Sequence, residues 1–179
     1  MWNQELYKQL MDFVGEAHKN QQIPGTEMPY VTHLARVTNE VIWTWVQSED
    51  KFDIDYAMAC ALLHDTIEDT SVTFEQVAEK FGEEIAQGVL ALTKNETLPT
   101  KEGQMQDSLE RILQQRLEVH VVKMCDRIDN LSEPPHYWDE AKKRRYQKEA
   151  QLILEKLGGV NQVVENRLQD KIKEYVKYF

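Results

Sequence analysis

Apolar side chains recur every three to four residues along most of this chain, and the alternation typical of strands is nearly absent. The spacing predicts two helices at the start, whose apolar faces carry Leu6, Leu10, Phe13, Val14 and Ala17, then Leu34, Val37, Val41 and Trp45. The pattern as a whole predicts an all-α fold, a compact single-domain helical bundle over residues 1–179.

Between these two helices, residues 23–29 carry two prolines and a glycine and are predicted to form a loop. Residues 54–67 are apolar nearly all round, which is typical of a central helix enclosed by others. Thr73 and Gln76 have the spacing of a capping box, which predicts a short helix that ends before Gly82.

The second half of the chain continues the helical pattern. Ile85, Val89 and Leu92 predict another amphipathic helix, and the polar residues 95–103 predict a mobile loop placed to cover a ligand. A long helix is expected next, ended by two prolines, with an apolar face of Leu113, Leu117, Val121, Met124, Ile128 and Leu131. Two helices complete the chain, one over residues 138–157 and one carrying Val160, Val164, Leu168, Ile172 and Val176.

Charge and composition limit the classes of partner that this protein can bind. Lys and Arg total 21 against 31 Asp and Glu, a formal net charge of -10, which disfavours nucleic acid and anionic membranes as partners. Anionic ligands must therefore be held by local cations. The chain has no apolar run long enough to span a bilayer, its first residues do not resemble a signal peptide, and Cys60 and Cys125 lie in apolar helical runs as expected of free thiols. We expect a cytoplasmic protein that binds neither nucleic acid nor membrane; its oligomeric state is not predicted.

The sequence His64-Asp65 ends the apolar run of residues 56–63, and Glu68 and Asp69 follow. Ionised groups beside a core are costly unless they are paired or bind a cation, so this cluster suggests a metal site. His33 and Asp126 lie in two other apolar helical segments that must pack nearby in a chain of this size.

Two histidines and two aspartates suit a divalent ion such as Mn²⁺, with positions left for water and a phosphate oxygen. The predicted ligands are His33, His64, Asp65 and Asp126. Taken singly, each residue has a structural alternative, because a buried histidine often bonds a carbonyl and an aspartate often caps a helix.

Glu68 and Asp69 lie one helical turn beyond His64 and Asp65, so both acids face the metal region if the helix continues. A carboxylate there can take a proton from an attacking water molecule. The alternative is that the two acids lead out of the helix into solvent.

The order His33, His64-Asp65, Asp126 resembles the ligand pattern of HD-domain metal-dependent phosphohydrolases. Over nearly the whole chain, motifs in matching order and spacing resemble the hydrolase domain of RelA/SpoT-type alarmone enzymes: Ala17-His18, Gln21, Gly25, Pro29-Tyr30, residues 61–70, Phe81-Gly82, Leu92-Thr93, Lys123, Asp126-Arg127 and Asn130-Leu131. Residues 146–168 resemble the small stand-alone hydrolases related to the animal enzyme.

This resemblance implies a Mn²⁺-dependent enzyme that cleaves (p)ppGpp at the 3′ position and releases pyrophosphate with GDP or GTP. By position, the four predicted ligands bind Mn²⁺, Glu68 and Asp69 activate or position the water, and Asn130 contacts the nucleoside. The remaining residues expected to contact the substrate are Tyr30, Lys94, Lys101, Lys142 and Arg145.

The chain departs from the family pattern at two places. Ile23-Pro24 stand where the family has a basic pair, and Ser132 and Glu133 replace residues that are often Arg and Thr. These departures leave the metal chemistry intact and put recognition of guanine and the distal phosphates in doubt. Two alternatives stay open: an HD phosphohydrolase acting on another nucleotide, including NADPH, and a nucleotide sensor without catalysis.

Overall fold

The computed structural model describes residues 2–179; Met1, which was part of the segment examined for a targeting signal, lies outside them. Within these residues the regular secondary structure is helical, and the only β-type pairing is one antiparallel bridge between Gln22 and Pro29. The helices are α1 (Gln4–Ala17), α2 (Val31–Gln47), α3 (Ile54–Leu63), α4 (Thr66–Asp69), α5 (Phe74–Phe81), α6 (Glu83–Leu92), α7 (Lys101–Ile112), α8 (Leu117–Asn130), α9 (Glu140–Leu157) and α10 (Gln162–Glu174), followed by a 3₁₀ turn (Tyr175–Tyr178). The all-α prediction is confirmed.

Helix α3 is the centre of the bundle. Every residue in it except Asp55 is buried, and it packs against α1, α2, α6 and α8. Its small residues Ala57, Ala59 and Ala61 let neighbouring helices approach closely, and an interior helix of this kind must be apolar on all sides. Because α3 ends at Leu63 inside the bundle, the next residue, His64, is delivered to the interior.

Helices α2 and α8 lie against α3 and against each other. Helix α8 is buried over most of its length, from Glu118 to Ile128, although it contains several charged residues. This three-helix core places His33 of α2 and Asp126 of α8 beside the end of α3. The mutual packing expected from the apolar patterns is confirmed.

The helix prediction for residues 54–67 is wrong at its end, because α3 stops at Leu63 and a separate turn of helix, α4, begins at Thr66. His64 and Asp65 occupy the break with right-handed helical backbone angles, and the Asp69 N–H still donates to the Asp65 carbonyl at 2.8 Å. The turn that relates Asp65 to Asp69 therefore survives the break.

The single long helix predicted around Leu113 to Leu131 is also wrong, because α7 ends at Ile112 and α8 begins at Leu117. Leu113 lies in the break, and its side chain is exposed. Helix α7 begins at Lys101, inside the segment predicted to be a loop, because the Thr100 side chain accepts a hydrogen bond from the Gly103 N–H and caps it. The loop is accordingly shorter than residues 95–103.

The connection between α1 and α2 is a loop, as the prolines and glycine in residues 23–29 predicted. The Gln22–Pro29 bridge holds its two arms together, and Gly25 has a φ of 80°. A Cβ at Gly25 would lie 3.0 Å from Pro135, so the loop tip packs closely on the segment after α8. Over residues 2–179, none of the helices has the length and apolar character that crossing a bilayer requires.

Candidate active site

Three buried side chains from three helices converge at the end of α3. The His33 Nε2 and His64 Nε2 atoms are 3.3 Å apart, and the Asp126 Oδ1 atom lies 3.5 Å and 3.7 Å from them. All three ligand atoms fall within 4.8 Å of one another. The structure thus brings together residues separated by more than ninety positions in the chain.

Asp65, the fourth predicted ligand, lies at the same place. Its Oδ2 atom is 2.9 Å from His64 Nε2 and 3.7 Å from His33 Nε2. The Tyr30 hydroxyl donates a hydrogen bond to this Oδ2 atom at 2.5 Å. Tyr30, expected to contact substrate, therefore also orients Asp65.

The hydrogen bonds of the two Nδ1 atoms, in His33 and His64, determine which nitrogen of each ring carries the proton. His64 Nδ1 lies 2.7 Å from the Ala61 carbonyl oxygen, which can only accept, so Nδ1 donates. His33 Nδ1 lies 2.7 Å from Asp129 Oδ2, so it also donates. In the neutral rings both Nε2 atoms then carry lone pairs directed at each other, an arrangement that a shared cation stabilises.

The pKa values of His33 and His64 are both raised, so the cluster stabilises positive charge on these rings. Burial alone would lower the pKa of His33, but hydrogen bonds with Asp126 and Asp129 raise it to about 9. Burial likewise opposes protonation of His64, but the charges and hydrogen bonds of Asp65 and Asp126 together raise the pKa of His64 well above its ordinary value. Protons therefore compete for the positions that a divalent ion would take.

Asp126 stays ionised although it is buried. Burial would raise its pKa, but the Lys123 ammonium and hydrogen bonds to the two histidines hold that pKa well below its usual range. Lys123 Nζ donates to Asp126 Oδ2 at 3.1 Å, and Asn130 Nδ2 donates to Oδ1. The carboxylate is thus fixed in position with its charge retained, and two imidazole nitrogens with two carboxylates fit a divalent cation.

The two acids expected to act on water have different surroundings. Glu68 accepts two hydrogen bonds from Lys94, one from the ammonium at 2.5 Å and one from the backbone N–H at 2.8 Å. Asp69 accepts from Gln21 Nε2 at 2.8 Å. Burial and the charge of Asp65 raise the pKa of Asp69, which brings the carboxylate closer to the range of a general base.

A cavity of about 790 Å³ opens beside this cluster. His33 and Asp69 lie on its wall next to the cluster, and the α1–α2 loop and the segment after α8 form the rest. Of the predicted substrate-contacting residues, Tyr30 and Asn130 line this cavity, whereas Lys94, Lys101, Lys142 and Arg145 do not.

Each of the predicted phosphate-binding cations has another neighbour or is exposed. Lys94 is bound to Glu68, and Lys101 Nζ donates to Gln104 Oε1 at 3.2 Å. The Lys142 ammonium lies 4.2 Å over the Trp138 ring, whose own side chain lines the cavity, and Arg145 is exposed.

Two residues of this site were not predicted from the sequence. Asp129 orients His33, and Arg36 lines the cavity. Both lie one helical turn beyond a predicted ligand, Asp126 and His33, so helical spacing was the signal that could have found them.

A bundle that joins two histidines and two aspartates beside a cavity defines a class of metal-dependent hydrolases. The chain belongs to the HD domain family, whose model matches residues 11–162. This confirms the family resemblance that was predicted from the sequence motifs.

Several relatives are similar over most of the chain. The guanosine-3′,5′-bis(diphosphate) 3′-pyrophosphohydrolase MESH1 of Danio rerio is 30% identical over 172 residues, covering 92% of this chain and 91% of the relative. MESH1 of Homo sapiens is also 30% identical, with 91% and 90% covered. An Aquifex aeolicus protein named for the same activity is 30% identical over 92% of this chain, which corresponds to 23% of that protein.

Solved structures show the same fold. One, described as a metazoan ortholog of SpoT that hydrolyzes ppGpp, matches with a TM-score of 0.84 at 22% identity, over 97% of both chains. The crystal structure of lmo0812 from Listeria monocytogenes matches with a TM-score of 0.65 at 23% identity, over 84% of this chain and 99% of that one.

Proposed function

We propose that this protein is a metal-dependent pyrophosphohydrolase of (p)ppGpp that cleaves the 3′-diphosphate from the nucleoside. The observation that carries the proposal is the convergence of two Nε2 atoms and two carboxylates beside a cavity that His33, one of these four residues, lines together with Asp69. The activity after which the MESH1 relatives are named supports the same reaction.

His33, His64, Asp65 and Asp126 would hold one divalent ion, and Mn²⁺ suits their mixture of imidazole and carboxylate donors. When bound, this ion supplies a Lewis acid that polarises a phosphoryl oxygen and lowers the pKa of water. Asp129 and the Ala61 carbonyl keep the imidazole rings in the tautomer that a cation requires.

Asp69 and Glu68 would act on the attacking water. Asp69 lines the cavity and accepts a proton more readily than an ordinary aspartate, because burial raises its pKa. Lys94 holds Glu68 in one orientation through both carboxylate oxygens. Together the two acids take up the proton and direct the water towards phosphorus.

Asn130 and Tyr30 would contact the substrate from the cavity wall. Lys101, Lys142 and Arg145 remain predicted phosphate contacts, and Lys142 is the best placed of them because its Trp138 neighbour lines the cavity. Ile23 and Pro24 contribute an apolar wall without charge, so we expect weak discrimination of guanine from adenine and a high KM for ppGpp.

Hydrolysis of another nucleotide, such as NADPH, is the second candidate. The cavity favours it in one respect, because Arg36 is the only lysine or arginine among the described residues that line it, and NADPH carries one phosphate fewer than ppGpp. A small molecule in the cytoplasm is the expected substrate in either case, and the two cysteines are free buried thiols, as a reducing compartment requires.

Product analysis tests the proposal. Purified protein is incubated with Mn²⁺ and either ppGpp or NADPH, and the products are identified by ³¹P NMR and anion-exchange chromatography. Pyrophosphate and GDP from ppGpp, with no turnover after chelation of the metal, are the expected result. Orthophosphate from NADPH with ppGpp left intact would replace the proposal by the second candidate, and binding without any turnover would support a sensor.

A further inference from the structure

The cavity beside the metal cluster has an uneven charge distribution. Three carboxylates line it, those of Asp69, Asp129 and Glu133, and Arg36 is its only lysine or arginine. Two of these acids are engaged, since Asp69 accepts from Gln21 and Asp129 pairs with His33. Away from the histidines, the positive charge of the cavity therefore comes from one side chain.

Arg36 is available for a ligand. No carboxylate in residues 2–179 lies within ion-pair distance of its guanidinium, and its hydrogen-bonding contact is a weak one to Met28 Sδ at 3.6 Å. By contrast, five of the other arginines, Arg111, Arg116, Arg127, Arg144 and Arg167, are each paired with an acidic side chain, and the remaining one, Arg145, does not line the cavity. An arginine that lines a cavity without such a partner can bind a phosphate through two parallel hydrogen bonds.

Helix α2 determines where that phosphate would lie. Arg36 follows His33 by three residues, which is close to one helical turn and a rise of about 4.5 Å along the axis. Both side chains line the same cavity, so a ligand bound at the metal cluster can extend to Arg36. This separation leaves room for Arg36 to bind a phosphate other than the one at the metal cluster.

We propose that Arg36 binds the 5′-diphosphate of the substrate while the 3′-diphosphate lies at the metal cluster. This inference rests on the proposed function, in which the reacting bond belongs to the 3′ arm. Arg36 is then a specificity-determining residue, because it selects nucleotides that carry a second phosphorylated arm. It takes no part in the reaction at the 3′ phosphorus.

Substrates that differ in the 5′ arm test this assignment. Arg36→Gln keeps hydrogen-bonding capacity and removes the charge, and Arg144→Gln is the matched control on an exposed arginine paired with Glu140. For ppGpp, Arg36→Gln should raise KM about tenfold with kcat unchanged, because the contact is the same in ground state and transition state. For guanosine 3′-diphosphate, which lacks 5′ phosphates, KM should change less than twofold.

Binding of GDP gives a readout that needs no hydrolysis. Isothermal titration calorimetry of the Mn²⁺-loaded protein should show that Arg36→Gln weakens GDP about tenfold, while Arg144→Gln binds as the wild type. This result would stand even if ppGpp were not hydrolysed, so failure of the proposed function is distinguished from failure of the Arg36 assignment.

Two results would overturn the assignment. An equal rise in KM for ppGpp and guanosine 3′-diphosphate would place Arg36 on the 3′ arm. Unchanged KM for ppGpp together with unchanged GDP affinity would show that Arg36 contacts neither phosphate group. Circular dichroism confirms folding of the variants, which is expected because Arg36 is exposed.

Discussion

The two imidazole nitrogens that face each other at 3.3 Å are the chemical centre of this molecule. Each ring is held by a partner on its far side, His33 by Asp129 and His64 by the Ala61 carbonyl. Facing lone pairs repel unless a proton or a metal ion lies between them, and the ionised Asp65 and Asp126 supply the compensating charge. The individual residues thus explain why a cation is required.

Glu68 is expected to act as a base on the attacking water. Glu68→Gln is nearly isosteric and removes a base, so kcat should fall by roughly 10² or more while the protein keeps its Mn²⁺. Elemental analysis and steady-state kinetics measure the two effects. Glu79→Gln, an exposed acid on α5, is the control and should behave as the wild type. Near-normal turnover of Glu68→Gln would refute the role.

Lys94 could either position Glu68 or bind a phosphate, and the sequence alone does not distinguish these two roles. The structure pairs Lys94 with Glu68; burial lowers the pKa of Lys94, but the charge and hydrogen bond of Glu68, together with the charges of Asp65 and Asp126, raise it above its ordinary value. If Lys94 positions Glu68, Lys94→Met should lower kcat about tenfold or more with little change in KM, and Lys94→Arg should restore part of it. A raised KM with normal kcat would instead make Lys94 a phosphate ligand.

That the four residues proposed as ligands lie together could be predicted from the sequence, because each stands out as an ionisable group in or next to an apolar helix. The pairing of Lys94 with Glu68 could not, since it joins positions 26 residues apart through a loop whose path depends on the whole fold. Arg36 was missed for a different reason, because an isolated arginine on an amphipathic helix has the pattern of a solvated residue.

At the scale of elements, close packing against α3 shapes the site. Gly88 of α6 lies against α3, where an added Cβ would be 2.5 Å from Tyr56 Oη and 2.9 Å from Cys60 Sγ. Both neighbours are buried, and the Arg116 guanidinium lies 4.3 Å from the centre of the Tyr56 ring, so neither can move freely. The glycine is needed for the close approach of these two helices.

Gly88→Ala should therefore lower the free energy of unfolding by about 1–3 kcal/mol, in spite of the better helix propensity of alanine. The control is Gly15→Ala in α1, where, apart from the adjacent residues and the backbone of its own helix, no atom of residues 2–179 lies within 4 Å of the added Cβ. That substitution should stabilise the protein by about 0.5–1 kcal/mol. Urea denaturation measures both; equal effects of the two substitutions would contradict the packing argument.

The helices were predicted well where an apolar face is continuous and the flanking loops are clear, as in α1 and α2. The boundary between α7 and α8 was missed because Leu113 and Leu117 keep the helical spacing across a break of four residues. Both leucines are exposed, so their spacing does not report burial. The break at His64 was also missed. It is a small departure from a continuous helix, because His64 and Asp65 retain helical backbone angles.

At the scale of the whole molecule, metal binding should couple to stability. An ion that binds only the folded state at 100 times its Kd contributes about 2.7 kcal/mol, which for a chain of this length raises Tm by roughly 5–10 °C. Differential scanning fluorimetry with and without Mn²⁺ measures the shift. We expect this Mn²⁺-dependent rise in Tm in the wild type and in the control variant Asp12→Asn, which changes an exposed residue.

Asp126→Asn should lose most of this shift, because the site exchanges an anionic ligand for an amide. The Tm of this variant without metal should also differ from that of the wild type, because Lys123 loses its ionised partner. Retention of the full Mn²⁺-dependent shift in Asp126→Asn would exclude this carboxylate as a ligand.

The most direct test of the central claim is the position of the metal itself. Crystals grown with Mn²⁺ and measured at the manganese absorption edge should show one strong anomalous peak between the Nε2 atoms of His33 and His64, roughly 2.0–2.3 Å from these nitrogens and from an oxygen each of Asp65 and Asp126. A map without a peak among these four residues, or with its main peak elsewhere in the protein, would contradict the account.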